Sequence, residues 1–441
     1  MGGSVFRRCT TCMKRLKPKA KRCPCGSDHS TWCLIADVAH GAGKRRQARR
    51  QGFSTREEAE RALREILGSV DNGTYVELSD QTLGDFLADR WLPAMRPPRL
   101  EATTWAEYRR KAANQVVPRV GHIKLQKLNP LHLNSLYADL LESGRMDGKG
   151  GLSAKTVREM HVILHKALGD AVRWGLVVRN VALLADPPSH RMASAARQAT
   201  MRTWTAEQLL TFLEHVRDDR LYGVWMLAAN SGMRRSELGG IRWQDILFDA
   251  GRLAVRQRLA SVDGIPQLSA PKSPRSRRTI DLDRRTLDAL KLHREQQLEE
   301  RAAWGGGWHD LDLVVTREDG YWIHPDWVTE MFRNRLHAAG LPAIRLHDLR
   351  HTHATLLLQA GVNPKVVSER LGHHSVAFTL DTYAHVLPGM QAEAAQDFSD
   401  LVWGVAVQEH LRDDEPNAPE HTRGHDRDDG DGDGSAPVPV G

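Results

Sequence analysis

The sequence predicts a multidomain, mainly helical protein with small β-sheets. Its length of 441 residues matches about three domains at roughly 150 residues each. Apolar residues recur at helical spacing across residues 78–185, whereas short alternating segments bounded by Gly, Asp and Pro are typical of strands. We therefore expect an N-terminal head, a small sheet domain, a helical domain, a mixed α+β domain and a disordered tail.

Charge is distributed unevenly along the chain, although the formal net charge is only +7. Residues 1–56 contain 14 Lys or Arg, against Asp28 and Asp37 alone. Such a basic segment indicates a polyanionic partner, and nucleic acid is the usual one. The apolar runs are too short to span a membrane, and no apolar segment of the signal-peptide type follows Arg7 and Arg8. We expect a cytoplasmic protein that binds DNA.

The head, residues 1–29, combines this positive charge with closely spaced cysteines. The candidate zinc ligands are Cys9, Cys12, Cys23 and Cys25. Two closely spaced thiolate pairs resemble a zinc knuckle, in which four ligands surround the ion tetrahedrally. The second pair has one intervening residue instead of two to four, so His29 or Cys33 is an alternative ligand. Free structural cysteines are the alternative to a metal, since a reducing cytosol disfavours disulfides.

Residues 30–72 predict a small ββ(β)α domain. Alternating apolar residues such as Trp32 and Leu34 indicate a strand, and the basic stretch GAGKRRQARRQGF follows it. A helix then begins at Ser54 or Thr55, where a hydroxyl can cap the first turn. The basic residues predicted to contact DNA phosphates are Lys44, Arg45, Arg46, Arg49 and Arg50.

Residues 78–185 predict a helical DNA-binding domain, although a plain helical bundle would show a similar pattern. One helix starts after Thr82, another runs from Thr103 or Thr104 to Pro118, and Ser153 caps a long one. The residues predicted to share a DNA-facing surface are Arg109, Arg110 and Lys111. Residues 186–198 contain two prolines and small polar residues, which is typical of a linker.

Residues 200–407 predict the mixed α+β domain. Thr205 and Gln208 form a capping box at the start of a helix. Two or three strands follow, with a turn at Val262-Asp263-Gly264, and helices are expected near Arg284, Pro325, His347, Pro364 and Ser375. The remainder, residues 408–441, is acidic, glycine-rich and predicted to be disordered.

Six residues of this domain form a set that suits metal-free DNA cleavage. They are Arg234, Lys272, His347, Arg350, His373 and Tyr383. Two guanidiniums can grip the non-bridging oxygens of a phosphate and stabilise the charge that grows on it. Histidines can donate to the phosphate or accept the tyrosine proton, and a lysine can protonate the leaving oxygen. Phenol needs such help, because about 0.1% of it is ionised at neutral pH.

The segments that contain these residues resemble the tyrosine recombinases, and phage integrases in particular. They are SGMRRSEL, PKSPRSRRTI, HDLRHTHATLLLQAGV and VSERLGHHSVAFTLDTYAHV. The resemblance implies that Arg234 and Arg350 are the paired arginines, Lys272 the strand-loop lysine and Tyr383 the nucleophile, with His347 and His373 beside them. It also implies an arm-binding domain at 30–72, a core-binding domain at 78–185 and a catalytic domain at 200–407. The cysteine-rich head departs from the usual pattern of the family.

The resemblance implies a site-specific recombinase that integrates or excises a mobile element and needs no cofactor for catalysis. It further implies a homotetramer on double-stranded attachment-site DNA, with accessory DNA-bending factors as possible partners. The alternatives are a type IB-like topoisomerase, a chromosome-dimer resolvase and a non-catalytic DNA-binding regulator. Apolar residues at helical spacing after Tyr383 predict a helix that contacts a neighbouring subunit, with packing inside the chain as the alternative.

Two of the six assignments have specific alternatives. Lys272 follows Pro271 at the position matching the family lysine, but Arg275, Arg277 and Lys291 are nearby cations. A second alternative concerns the histidines of HDLRHTH, which lie close enough along a helix to bind a metal. The histidines concerned are His347, His351 and His353.

Overall fold

The computed structural model describes residues 2–17, 20, 22–26, 29–38, 46–193, 202–271, 274–383 and 395–403. The chain divides into two compact units, Met1–Val376 and Ala377–Gly441. Lys44, Arg45, Lys272 and the acidic tail 408–441 lie outside the described residues, and the side chain of Arg46 is likewise not described. Among the helices of the described ranges, none is long and apolar enough to cross a membrane.

The first unit begins with an antiparallel three-stranded sheet and one helix. The elements are β1 (Gly3–Cys9), β2 (Ser30–Val38), β3 (Arg46–Phe53) and α1 (Arg56–Asp71). β2 lies between the other two strands. α1 begins after Thr55, whose hydroxyl accepts the Glu58 backbone N–H at 3.2 Å while the Glu58 carboxylate accepts the Thr55 N–H at 3.3 Å. This capping box decides between the two predicted helix starts.

Strand β1 comes from the cysteine-rich head, so the head and the sheet domain share one sheet. Cys9, the last residue of β1, lies opposite Ser30, the first residue of β2. α1 covers one face of the sheet, where Leu34, Ala36 and Ile66 are buried together. The boundary at residue 29 therefore marks a change in composition, whereas the fold continues across it.

The helical domain follows, with two segments of π-helix inside it. The elements are α2 (Leu83–Asp85), a π-helix (Phe86–Trp91), α3 (Leu92–Ala94), α4 (Ala102–Lys111), a second π-helix (Ala112–Val116), α5 (Val117–Val120), α6 (Pro130–Ser143) and α7 (Ala154–Arg173). Ser153 caps α7 as predicted, because its side chain accepts the Thr156 N–H. The predicted stop at Pro118 is wrong. The π-helix resets the hydrogen-bond ladder, so Pro118 falls in the first turn of α5, where its missing N–H costs nothing.

The mixed domain surrounds an aromatic core. Its helices are α8 (Ala206–His215), α9 (Tyr222–Ser231), α10 (Arg235–Leu238), α11 (Arg284–Trp304), α12 (Pro325–Ala338), α13 (Asp348–Gln359) and α14 (Pro364–Leu371). Its strands are β4 (Ile246–Leu247), β5 (Arg252–Val255), β6 (Arg258–Val262), β7 (Ile265–Ser269) and β8 (Arg278–Asp281). Asp263 and Gly264 have φ of 52° and 82°, the left-handed pair that a two-residue hairpin between β6 and β7 requires. The predicted turn is confirmed.

The chain order of these elements brings α9, α13 and α14 together. α9 contacts α13, and α13 contacts α14. The ends of α9 and α14 and the start of α13 contain the residues predicted to grip the phosphate. Helix α15 (Val376–Tyr383) leads into the second unit. Residues 395–403 of that unit are also helical.

Candidate functional site

Arg350 is the most deeply buried cation of the predicted set, with 3% of its surface exposed. It lies in the first turn of α13, and its Nη1 donates to the backbone oxygen of Gly232 at 2.7 Å. Gly232 ends α9 in the left-handed conformation. A side chain there would also collide, because a Cβ would lie 2.5 Å from Leu371 and 2.8 Å from His353. α13 therefore fixes the turn that precedes Arg234.

Arg234 follows that turn, and its side chain contacts a second turn, at the end of α14. Its Nη2 donates to the backbone oxygen of Gly372 at 3.1 Å, and its Nη1 donates to the Glu237 carboxylate at 2.7 Å. Gly372 ends α14, again in the left-handed conformation, and His373 comes next. Arg350 thus anchors the Arg234 turn, and Arg234 anchors the turn that positions His373.

The two predicted histidines lie beside these arginines. Burial, and then the positive charges of Arg350 and Arg234, lower the pKa of His373 to about 3. Burial, followed by Arg350, also lowers the pKa of His347 to about 4, although this residue keeps an exposed side. Both rings are therefore neutral at neutral pH, so each can accept a proton and donate its remaining N–H.

Two residues that the sequence analysis did not single out complete the support of Arg234. Glu237 is buried and also accepts Nη2 of Arg278 at 2.9 Å. Burial alone would raise the pKa of Glu237, but Arg278 and Arg234 outweigh it and hold this pKa below its ordinary value. Arg278 extends the contact to α14, because its Nε donates to the Arg370 oxygen at 2.7 Å. Glu237 stands three residues after Arg234 in SGMRRSEL, which is the only signal that the sequence offered.

Arg370 is a further residue that the sequence analysis missed. Its Nη2 donates to the backbone oxygen of Asn230 at 2.8 Å, and its Nε donates to Nε2 of His353 at 3.0 Å. Since this ring nitrogen of His353 accepts from a guanidinium, it is not available to a metal. In the described part of the chain, the potential ligands that cluster in groups of three or more are the head cysteines. The alternative metal site in HDLRHTH is therefore not supported.

Of the two remaining residues of the predicted set, Lys272 lies outside the described residues, whereas Tyr383 is described. Residues next to Lys272 lie beside the His373 turn, because Arg275 donates through Nη1 to the backbone oxygen of His374. Tyr383 is the last residue of α15 and is fully buried. It belongs to the second unit.

The predicted DNA-contacting residues of the helical domain do not share one surface. Lys111 is 8% exposed, and its Nζ pairs with Glu107 and Glu159, each at 2.6 Å. Arg110 is exposed, whereas Arg109 pairs with Asp263 of the mixed domain at 2.8 Å. Consecutive helical residues point about 100° apart, so three in a row cannot lie on one face. The structure argues against Lys111 as a DNA contact.

The basic residues of β3 are likewise divided between two faces. Arg49 lies opposite Ile35, on the face of the sheet that α1 leaves open. Arg50 lies opposite Leu34, which α1 covers, and therefore points to the other side. Of the two, Arg49 is placed for a contact through the open face.

The cysteines of the head form a compact group that is able to hold a metal. The sulfur atoms of Cys9, Cys12, Cys23 and Cys25 all lie within 4.8 Å of one another. The alternative ligands His29 and Cys33 are not members of this group.

Three family models match successive parts of the chain. The Arm DNA-binding domain matches residues 28–70, the N-terminal SAM-like domain of phage integrases matches 82–141, and the phage integrase family matches 200–389. These matches follow the order of the sheet, helical and mixed domains of the structure.

Curated proteins of similar sequence are recombinases and integrases. A XerC-like tyrosine recombinase of Caldanaerobacter subterraneus is 27% identical over 365 residues, which cover 79% of this chain and 90% of that protein. The ICEBs1 integrase of Bacillus subtilis is 27% identical over 63% of this chain and 72% of its own length. An integrase of Streptomyces ambofaciens is 26% identical, over 80% and 88%.

Solved structures of similar fold are integrases bound to DNA. The Tn1549 transposon integrase in complex with a circular intermediate DNA has a TM-score of 0.56 at 19% identity, covering 72% of this chain and 99% of that one. A lambda integrase tetramer bound to a Holliday junction has a TM-score of 0.50 at 16% identity, covering 80% and 92%. The order of the matched domains and the recombinases and integrases among the relatives lead to one family. This chain belongs to the phage integrase family of tyrosine recombinases, which cleave and rejoin DNA through a tyrosine intermediate.

Proposed function

We propose that this recombinase integrates or excises a mobile element by cleaving its attachment sites through Tyr383. The observation that supports this proposal best is the interlocked pair of arginines. Arg350 holds the turn before Arg234, and Arg234 holds the turn before His373. Rigid donors that already lie together need no reorganisation when charge grows on a phosphate, which is how such sites lower the barrier.

In the proposed reaction, the Tyr383 hydroxyl oxygen attacks phosphorus and the bond to the 5′ oxygen breaks. The products are a 3′-phosphotyrosyl ester and a free 5′ hydroxyl. Arg234, Arg350 and the N–H of His347 stabilise the phosphoryl oxygens. His373 accepts the tyrosine proton, and Lys272 protonates the departing oxygen.

Rejoining reverses these steps with a 5′ hydroxyl from another strand. Because the phosphotyrosyl ester conserves the energy of the broken phosphodiester, the cycle needs no ATP and no oxidant. The chemistry also needs no cofactor. We propose that the cysteine group of the head holds a structural zinc ion, because four thiolates leave no open coordination position for catalysis.

The order of the domains supports different DNA-binding roles for each of them. We propose that the sheet domain binds arm-type sites, that the helical and mixed domains hold the core site, and that four copies act together in the cytoplasm. Accessory DNA-bending factors are possible further partners. The relatives named for mobile elements support this assignment, and the lambda integrase neighbour was solved as a tetramer.

The test uses wild type, Tyr383→Phe and the control Tyr222→Phe in cells that carry the parent element. DNA covalently attached to the protein is recovered under denaturing conditions and sequenced. We expect adducts at one or two discrete sites in wild type and in the control, and none in Tyr383→Phe. Adducts scattered over the genome would indicate a topoisomerase, whereas no adduct in any strain, with expression verified, would indicate a non-catalytic DNA-binding protein.

A further inference from the structure

We infer that zinc at the cysteine group folds the connection between β1 and β2 into an extra edge of the sheet, which adds phosphate contacts to the arm-binding domain. This inference rests on the proposed DNA binding by that domain. The connection, residues 10–29, runs between the paired residues Cys9 and Ser30. It therefore leaves the sheet and returns to it at the same end.

The sulfur geometry fits one tetrahedral ion. Sγ of Cys9 lies 3.7 Å from Sγ of Cys25, and Sγ of Cys12 lies 3.2 Å from Sγ of Cys23. Both distances exceed the ~2.05 Å of a disulfide. With Zn–S bonds of about 2.3 Å, the edge of a tetrahedron is about 3.8 Å. The sulfurs are thus already close to the separation that the metal requires.

Each cysteine pair lies in a short turn that a backbone hydrogen bond closes, from the Met13 N–H to the Cys9 oxygen at 3.1 Å and from the Gly26 N–H to the Cys23 oxygen at 2.9 Å. The residue after each pair has positive φ, 60° at Met13 and 84° at Gly26. The two turns are thus similar, although one has two intervening residues and the other has one.

The described residues of the connection form only a small apolar cluster. Its buried cluster consists of Cys9, Leu16 and Cys23, with Cys12 packed against them. One leucine cannot offset the conformational entropy of some twenty residues, and segments of this size are usually held by metals or disulfides. Zinc binding would supply that free energy, as it does in small zinc domains.

Folding of the connection extends the sheet beyond β1. Arg15 forms an antiparallel bridge with Arg8, and the Leu16 N–H donates to the Arg7 oxygen at 2.9 Å. The segment around Arg15 is thus a short edge next to β1. Partners across a bridge share a face of a sheet. Arg15 accordingly lies 4.3 Å above the ring of Phe6, on the face that α1 leaves open.

This open face has a continuous set of polar and basic side chains. Arg8 donates through Nη1 to Gln51 of β3 at 3.5 Å, and Arg49 lies on the same face of β3. The connection itself contains six Lys or Arg and one acidic residue, Asp28. A positively charged open sheet fits the phosphates of duplex DNA, and the zinc-held edge widens it by one element.

The first measurement is the metal content of the purified full-length chain, by elemental mass spectrometry. We expect about one zinc ion per chain in wild type and in Cys33→Ser, because Cys33 lies in β2 outside the sulfur group. We expect none in Cys12→Ser. A wild-type chain without zinc, or a Cys12→Ser chain that keeps it, would overturn the metal site.

The second measurement is the affinity for a random-sequence duplex as a function of salt. Arg15→Ala should retain zinc and reduce the slope of log affinity against log salt by about 0.9, the value of one phosphate contact. Cys12→Ser should reduce the slope at least as much. Arg56→Ala removes an exposed arginine of α1 and should leave the slope unchanged. An unchanged slope in Arg15→Ala would refute the contact.

The Tyr383 adduct assay separates this inference from the proposed function. If the inference about the zinc-held edge is wrong, wild type still forms Tyr383 adducts, but it contains no zinc or Arg15→Ala leaves the salt slope unchanged. If the recombinase assignment is wrong, the adducts are missing, whereas zinc content and salt slope can still be measured.

Discussion

At the scale of single residues, a buried carboxylate holds two arginines of the candidate site together. Glu237 accepts hydrogen bonds from both Arg234 and Arg278. Two guanidiniums this close repel each other, and one negative charge between them offsets that repulsion. Glu237 does not need to touch DNA to matter, since it acts through Arg234 as a positioning residue.

We expect Glu237→Gln to slow cleavage by about 10- to 100-fold, because a charge-assisted hydrogen bond contributes about 1.5–3 kcal/mol. The measurement is the single-turnover rate of covalent complex formation at saturating DNA. Glu300→Gln is a matched control, since Glu300 pairs with Arg220 at 2.6 Å in a part-buried site of the same domain. The Glu300→Gln variant should be less stable than wild type without a comparable loss in the rate of covalent complex formation. Equal rate losses in both variants would mean that Glu237 is merely structural.

The histidines predict a dependence of stability on pH. In the folded protein the pKa of His373 is lowered from 6.5 to about 3. Between these values the unfolded chain binds the proton and the folded chain does not, so stability is full above about pH 6.5 and falls as pH decreases. The slope is at most about 1.4 kcal/mol per pH unit for one such group.

The check is the thermal midpoint of the DNA-free protein between about pH 7 and about pH 4.5. His373→Asn should lose less stability on acidification than wild type. His190→Asn changes an exposed residue and should behave like wild type. Parallel pH curves for wild type and His373→Asn would contradict the prediction.

At the scale of elements, the helical domain depends on a buried polar contact between two helices. Nε1 of Trp91 donates to the Asp170 carboxylate at 2.7 Å, and both residues are fully buried. Trp91 ends the first π-helix and Asp170 lies near the end of α7. Arg173 donates to the other carboxylate oxygen of Asp170. The oxygen that loses the Trp91 donor is buried and has no water to replace it.

Trp91→Phe should therefore destabilise the helical domain by about 1–3 kcal/mol, the usual cost of an unsatisfied buried polar group. Denaturant unfolding followed by circular dichroism measures this loss. Trp327→Phe is the control, since Trp327 is 56% exposed. An effect in Trp91→Phe no larger than in Trp327→Phe would show that the contact adds little stability.

At the scale of the whole molecule, the helical and mixed domains touch through ion pairs with exposed partners. Arg258 pairs with Glu101 at 2.9 Å, and Arg109 pairs with Asp263 at 2.8 Å. Pairs of this kind contribute about 0–1 kcal/mol each and are screened by salt. These two ion pairs therefore add little to the stability of the contact, and salt weakens them further.

An exposed apolar helix in the second unit leads us to predict how copies of the chain assemble. Residues 395–403 form a helix whose apolar side chains are exposed, among them Phe398, Leu401 and Trp403. Exposed apolar surface of this kind is typical of an interaction site. Deletion of everything after Pro388 should leave binding of one duplex intact and abolish the pairing of two duplexes. Native gel electrophoresis of protein–DNA complexes distinguishes these states.

Deletion of residues 408–441 alone retains this helix and is the matched control. That variant should pair duplexes as wild type does. Recombination at the wild-type rate in the longer deletion would refute the assembly role of the helix.

The sequence by itself determined the family, the order of the domains and the candidate catalytic residues. These depend on local signals, such as the Thr55 cap, the Asp263-Gly264 turn and the motifs around Arg234 and His347. Each signal is a property of a few neighbouring residues, so it can be identified without knowledge of the remaining chain. The pairing register of the strands and the exact helix ends near Pro118 were harder to predict from the sequence, because they depend on hydrogen bonds between different residues of the backbone.

Only the tertiary structure decided which groups the charged side chains contact. Arg234 donates to the backbone oxygen of Gly372, Arg278 pairs with Glu237, and the buried Lys111 pairs with two glutamates. The sequence also does not reveal that β1 joins the head to the sheet, which places the cysteine group at one end of that sheet. Such contacts link residues far apart in the chain. Composition and periodicity constrain what each segment becomes, whereas packing determines which segments meet.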